Sequence, residues 1–281
     1  RPDVGDVAGK EAGVGKEDEQ RGEQENTIVV VTADNGMPFP RIKGQEYELS
    51  NHLPLAIMWP KGIKNAGRTM DACMNLSSLA PTFLEAAGLQ VPDMMIAGSL
   101  MHVFSNAGTR HLRAYQDTSA AFIAMERHDG CRKGGKGYPS RAIRTRDYLY
   151  ILNHEPTRWP AGHPDREFCA RYIPFGEVDS SPTKTLLMDN KDRAGFKRFY
   201  DLAFAKRPKE ELYHVGKDPG QLVNLAGRPE HAQIQQALAA QLQQHLTVTK
   251  DPRALGLDAP WDYYPYYGLR RNKNWQVDPK P

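Results

Sequence analysis

Asp34, Asn35 and Lys43, within VVVTADNGMPFPRIKG (29–44), are residue types that can hold a metal and an anion side by side. A carboxylate and an amide carbonyl are hard oxygen donors of the kind Ca²⁺ or Mg²⁺ takes up. A protonated lysine cannot ligate a metal, but it offers an anionic oxygen a compact point charge. Asp34 and Asn35 end a valine run abruptly, and ligands of open α/β sheets gather at the carboxyl ends of strands. Asp-Asn-Gly is also a favoured turn sequence. On these residues alone, a turn and half of a metal site are both open.

A second group lies in MERHDGCRKGGKGYPSR (125–141). His128 sits in a Gly-rich loop with Arg127, Arg132, Lys133, Lys136 and Arg141, a concentration of charge suited to an acidic glycan. Such clusters are as often a solvated face, so both readings of His128 and Arg141 stand. Tyr138-Pro139 is expected to shape the loop, His52 to be a satisfied histidine near the core, and Trp159 to pack on its Pro-rich loop.

The elements that must position these residues can be read from hydrophobic periodicity. TIVVV (27–31) is a continuous β-branched run suited to a strand buried on both faces, and PLAIMW (54–59) reads as a second buried strand. The loop between them is long, as functional loops often are. SSLAPTFLEAAGL (77–89) reads as a helix with Pro81 in its first turn and Leu79, Phe83, Leu84 and Ala87 on its apolar face. Strand, loop, strand, helix favours an α/β sheet. After about residue 110 the texture changes: AAFIAME (120–126) reads as a strand and RAIRTRDYLYIL (141–152) as a hairpin turning at Arg146-Asp147. Residues 153–210 look loop-rich, EELYHV (210–215) is a short strand, and AQIQQALAAQLQQHL (232–246) is the clearest helix. The expected organisation is a charged, disordered lead-in (1–26), an α/β region (27–110), an α+β subdomain (111–253) and an aromatic tail wrapping over the body (254–281).

Bulk properties exclude several classes. The chain has 281 residues, 40% hydrophobic and 25% charged, with a net charge of +3. That charge is too mild to argue for nucleic acid. No apolar run approaches the ~18 residues of a membrane span, and the charged start lacks the apolar core of a signal peptide. Cys73, Cys131 and Cys169 show no metal-type spacing and leave an odd thiol if one disulfide forms.

Read together, the motifs resemble one family. TIVVVTADNG, the later Lys43, YELSNHLPLAIMWP and LSSLAPTFLEAAGL follow the order and spacing of the sulfatases, of the alkaline-phosphatase-like superfamily. DNGMPFP, ERH, GYPSRAIRTRDYLYI, RWPAG and RPKEELYHVGKDP look most like the heparan N-sulfatase branch, from about Thr27 to about Arg253. The resemblance implies the C-terminal part of a mixed sheet sandwiched by helices, followed by a smaller α+β subdomain with an antiparallel sheet. It implies one Ca²⁺, with Asp34 and Asn35 as two of its ligands, and Lys43 holding the sulfate. It also raises His128 and Arg141 as contacts to a sulfated carbohydrate. The nucleophile of such enzymes is a formylglycine made from the Cys or Ser of a C/S-x-P-x-R motif. Its aldehyde hydrate attacks sulfur, splitting one hard displacement into two.

None of the three cysteines fits that motif. SSPTK (180–184) mimics it, but it follows the Asp-Asn pair and carries Lys for Arg, so a loop is expected there. No adjacent Asp-Asp occurs either. The chain therefore looks like the C-terminal half or so of a sulfatase acting on N- or O-sulfated sugars, with its nucleophile outside this chain. Rival readings are a non-catalytic glycan-binding remnant and a phosphodiesterase or phosphonate hydrolase of the same superfamily. Relatives are periplasmic, secreted or lysosomal, and a homodimer is compatible with the sequence.

Overall fold

The computed structural model describes residues 21–105 and 119–280. Most of the expected lead-in (1–20) and the 106–118 segment lie outside the described residues. In chain order the elements are β1 (Val29–Thr32), β2 (Leu55–Met58), α1 (Leu79–Ala86), β3 (Ala120–Met125), β4 (Ser140–Thr145), β5 (Tyr148–Asn153), α2 (Pro182–Asp189), α3 (Lys197–Phe204), β6 (Glu210–His214) and α4 (Ala232–Val248). Single helical turns at Glu48–Asn51 and Met101–Phe104 interrupt the connections. None of the described helices is long and apolar enough to cross a membrane. The chain forms two compact units, Arg1–Asp34 with Leu53–Ala120, and Asn35–His52 with Ala121–Pro281.

In the first unit β1 and β2 pair antiparallel, Val29 opposite Met58 and Thr32 opposite Leu55. The valine run is a strand, but not one buried on both faces: Val29 and Val30 are half-buried, Val31 and Thr32 exposed. Only β2 pairs with it among the described residues, so little covers its far end. Helix α1 turns Pro81 and Thr82 inward, and Thr82 Oγ1 accepts from Leu100 N at 2.8 Å. Phe83, expected on the apolar face, is 44% exposed, and the helix buries Pro81 and Thr82 instead.

The second unit is built on a four-stranded sheet in the order β3-β4-β5-β6. The expected hairpin is present, Arg144 opposite Leu149 across the Arg146-Asp147 turn, and β6 adds antiparallel to β5. Ala142, Leu149, Ile151 and Tyr213 form the core on this sheet. Helix α4 carries Leu238, Leu242 and Leu246 at four-residue steps, one stripe that packs on β4 and β5. Burying each leucine contributes about 2 kcal/mol. The region 153–210 is less loop-like than its prolines suggest. It holds α2 and α3, whose Phe204 packs with Ala161, Phe175 and Val178 in a second core. From the aromatic tail, Trp275 is 3% exposed and donates from Nε1 to Arg132 O at 3.1 Å.

Candidate anion-binding site

Lys43 stands on the Asn35–His52 loop, which is held tightly. Gly36 N donates to Ser50 O at 3.1 Å, and a Cβ on Gly36 would come within 2.2 Å of Leu49 O, so only glycine fits. Buried Ile42 anchors the middle of the loop, and Tyr47 Oη reaches Glu211 at 2.9 Å. Gly44 adopts φ +70, and a Cβ there would lie 3.1 Å from His128 Nδ1. The loop therefore brings the residue next to Lys43 close against the His128 ring, where a side chain would require the ring to shift by a few tenths of an ångström.

His128 follows β3. Its Nδ1 meets Glu177 Oε2 at 2.5 Å, while Arg132 Nη1 donates to Glu177 Oε1 at 2.8 Å. Arg132 is itself spent, its Nε on Trp159 O at 2.7 Å and its Nη2 on Pro160 O at 2.9 Å. The bond to Glu177 raises the His128 pKa above its ordinary value, against the opposing effects of burial and of the Lys43 charge. Burial would push Glu177 up, but the Arg132 charge and the His128 bond hold it below the usual carboxylate range. Lys43 Nζ pairs with Asp179 Oδ2 at 3.1 Å, both side chains about one-third exposed. The counterions of Lys43 and His128 thus lie two residues apart on one segment. Lys184 ties that segment down, donating from Nζ to Phe175 O at 2.9 Å and Val178 O at 2.7 Å.

A residue the sequence reading passed over joins this group. Arg171, 44% exposed, pairs through Nε with buried Asp129 at 3.0 Å and feels the Asp179 charge. Asp129 also accepts from Tyr266 Oη at 2.5 Å, so the tail helps to set it. Nothing in CARYIP announces this role, since the contact is made between segments far apart in sequence.

The other expected site residues lie elsewhere. Arg141 is 2% exposed in β4, with Nε on Asp251 Oδ2 at 2.8 Å and Nη2 on Glu126 Oε1 at 2.6 Å. Its Nη1 caps Met125 O and Ser140 O, so the guanidinium is engaged within the sheet and its flanks. Much of the basic loop is covered by the tail: Arg127 reaches Tyr264 O at 2.9 Å and Lys136 lies 3.9 Å over the Tyr263 ring. His52 is an exposed partner of Glu48 at 2.8 Å, not a core histidine: its side chain is 72% exposed just beyond the helical turn. SSPTK begins a helix instead of a loop, Ser181 Oγ accepting from Lys184 N at 3.2 Å as its N-cap. Cys131 and Cys169 are buried, and burial raises both thiols, which disfavours the thiolate a nucleophile requires.

Asp34 ends the leading segment of the first unit and Asn35 opens the loop of the second. Both are exposed. Asn35 Nδ2 donates to Gly36 O at 2.8 Å, leaving Oδ1 as its available oxygen, and no ion pair takes up the Asp34 carboxylate among the described residues. Two unengaged hard oxygen donors fit a Ca²⁺ ligand pair. No group of three or more His, Cys, Asp or Glu able to hold a metal occurs among the described residues.

The fold is mixed α/β with antiparallel sheets, and within its larger unit a loop lysine is set beside a carboxylate-bound histidine. Residues 43–151 match the family N-sulphoglucosamine sulphohydrolase, C-terminal. Human N-sulphoglucosamine sulphohydrolase is 28% identical over 232 residues, 81% of this chain and 43% of that protein. A solved complex with the substrate D-glucosamine-2-N,6-O-disulfate superposes with TM-score 0.53 at 23% identity, over 85% of this chain and 37% of the other. A phosphonate monoester hydrolase from Silicibacter pomeroyi gives TM-score 0.54 at 18% identity, over 84% and 38%, so the fold is shared beyond sulfatases. The chain is thus similar to the sulfatases, through the family match at residues 43–151 and the human relative over 81% of its length. It spans less than half the length of these relatives.

Proposed function

We propose that the chain is the C-terminal portion of a sulfatase that removes N-sulfate or O-sulfate groups from sulfated sugars of the heparan sulfate kind. The observation that carries this reading is the convergence of Lys43 and His128 through Gly44, each with its own carboxylate on the 177–179 segment. Lys43 has three donors, so it can keep Asp179 and still hold a sulfuryl oxygen. His128, whose bond to Glu177 favours its cationic form, has Nε2 left to donate to a second oxygen or to the sugar. Charge held in place in this way stabilises the charge that builds on sulfur's oxygens during transfer. Asp34 and Asn35 would hold a Ca²⁺, which when bound supplies Lewis-acid polarisation of the sulfate. The formylglycine nucleophile is expected on a residue outside this chain, and the first unit would complete a mixed sheet sandwiched by helices. Export to a periplasm, to the outside or to a lysosome is part of the same reading.

The test is turnover by the full-length protein on N-sulfated and O-sulfated glucosamine, with a phosphonate monoester as the rival substrate. Lys43→Ala should lower sulfate or sulfamate release by about a hundredfold or more. Sugar binding without turnover would instead favour the non-catalytic remnant, and release from the phosphonate alone would favour the rival hydrolase.

A further inference from the structure

A second feature of the larger unit is unused by this reading. A cavity of about 590 Å³ opens beside α3 and β6. Five cations line it: Arg41, Lys197, Arg198, Lys206 and Arg207. Its two carboxylates are already committed. Glu211, 2% exposed, accepts from Tyr47 Oη at 2.9 Å, Tyr213 Oη at 2.6 Å and Asn153 Nδ2 at 2.8 Å. Asp201 is paired with Lys197 at 2.5 Å. Among the described residues Arg41, Arg198, Lys206 and Arg207 have no ion pair with a carboxylate. The two half-buried arginines are held by neutral groups instead: Arg41 by Gln221 O, Arg207 by Leu202 O at 2.6 Å. Both also lie over the Tyr47 ring, 3.8 and 5.7 Å from its centre.

Elsewhere in this unit Arg132, Arg141, Arg144, Arg158 and Arg253 each pair with a carboxylate, while Lys184 and Arg127 are held by carbonyls. Five cations against the two carboxylates Asp201 and Glu211, the latter's charge reaching Arg207, still leave this concavity a local excess of positive charge, which draws anions. Guanidinium forks suit the planar and tetrahedral oxygens of carboxylate and sulfate. Between the charges lie Leu202, Ala205, Pro208 and Leu222, an apolar patch of the kind the C–H face of a sugar ring covers.

We infer that this cavity is a second binding site for an anionic saccharide, apart from the Lys43–His128 group. The saccharide class rests on the sulfated-sugar reading above; the anion preference stands on the cavity itself. An oligosaccharide longer than the reacting unit would gain affinity here without touching the reacting group.

The experiment is calorimetric binding of a heparin-derived hexasaccharide at low ionic strength. The double variant Arg198→Ala/Lys206→Ala removes two exposed cations and leaves Tyr47 and the buried Glu211 network in place. It should bind about tenfold more weakly, and with a shallower salt dependence, than the unaltered protein. Unchanged affinity overturns the inference. Inorganic sulfate is the second probe: if it displaces the hexasaccharide at equal anion concentration, the site is for anions and not for saccharides, and that also overturns it. The Lys43–His128 reading is tested apart, by the NMR shift of His128 on adding N-sulfated glucosamine. A response there with no effect of the double variant sinks only the second site. The reverse result sinks only the assignment of Lys43 and His128.

Discussion

Glu177 Oε2 stands 2.5 Å from His128 Nδ1, and its other oxygen accepts from Arg132 at 2.8 Å. One buried carboxylate thus serves a half-exposed imidazole and a buried guanidinium at once. Because His128's folded pKa lies above 6.5, the pair's contribution to stability is complete below that unfolded value and is lost as pH rises through the raised one. Glu177→Gln should bring the His128 pKa down, read directly from imidazole NMR shifts against pH. The same variant leaves Arg132 buried without a counterion and should destabilise the fold by about 3 kcal/mol in urea titration. An unmoved His128 titration would remove the positioning role of Glu177.

Lys43 is exposed enough to be replaced at little cost to folding. Lys43→Ala should change stability by no more than about 1 kcal/mol, since its partner Asp179 is also partly solvated. Binding of a sulfated monosaccharide should nevertheless weaken by about tenfold or more, measured by NMR titration. Equal binding by the variant would detach Lys43 from the anion.

Arg141 is expected to behave in the opposite way. Arg141→Leu strands Asp251 and part of the Glu126 charge in a half-buried setting and should cost about 3 kcal/mol or more by thermal or urea unfolding. Sugar affinity of the folded fraction should stay within about twofold, because none of its donors faces the Lys43–His128 group. A large loss of affinity at unchanged stability would return Arg141 to the substrate.

Glu46, 5% exposed and bonded to Ser140 Oγ at 2.6 Å, is pushed up to about 7 by burial. Its folded pKa exceeds the unfolded 4.5, so the native state holds the extra proton and stability declines as pH climbs from about 4.5 through about 7. Glu46→Gln should flatten that slope and stabilise the protein above pH 7 by ~1–3 kcal/mol, as read from urea midpoints at several pH values. An identical pH slope in both proteins would show that Glu46 ionises without strain.

Local pattern was enough to place many elements in this chain. The valine run, the Arg146-Asp147 hairpin and the leucine stripe of α4 each follow from short-range periodicity, which a strand or helix obeys wherever it is packed. Motif order was enough for the likeness to the sulfatases, and residue chemistry was enough to nominate Lys43 and His128. What short-range pattern does not encode is which groups meet. Arg141 and His128 look alike in sequence, two basic residues of one loop-and-strand segment. Packing sends Arg141 into Asp251 and Glu126, and sets His128 between Gly44 and Glu177. Arg171 and the cations around Arg41 gain meaning only from neighbours distant in the chain. A charge is worth what surrounds it: its burial and the counterions within a few ångströms are fixed by contacts between segments, and only the tertiary structure decides those.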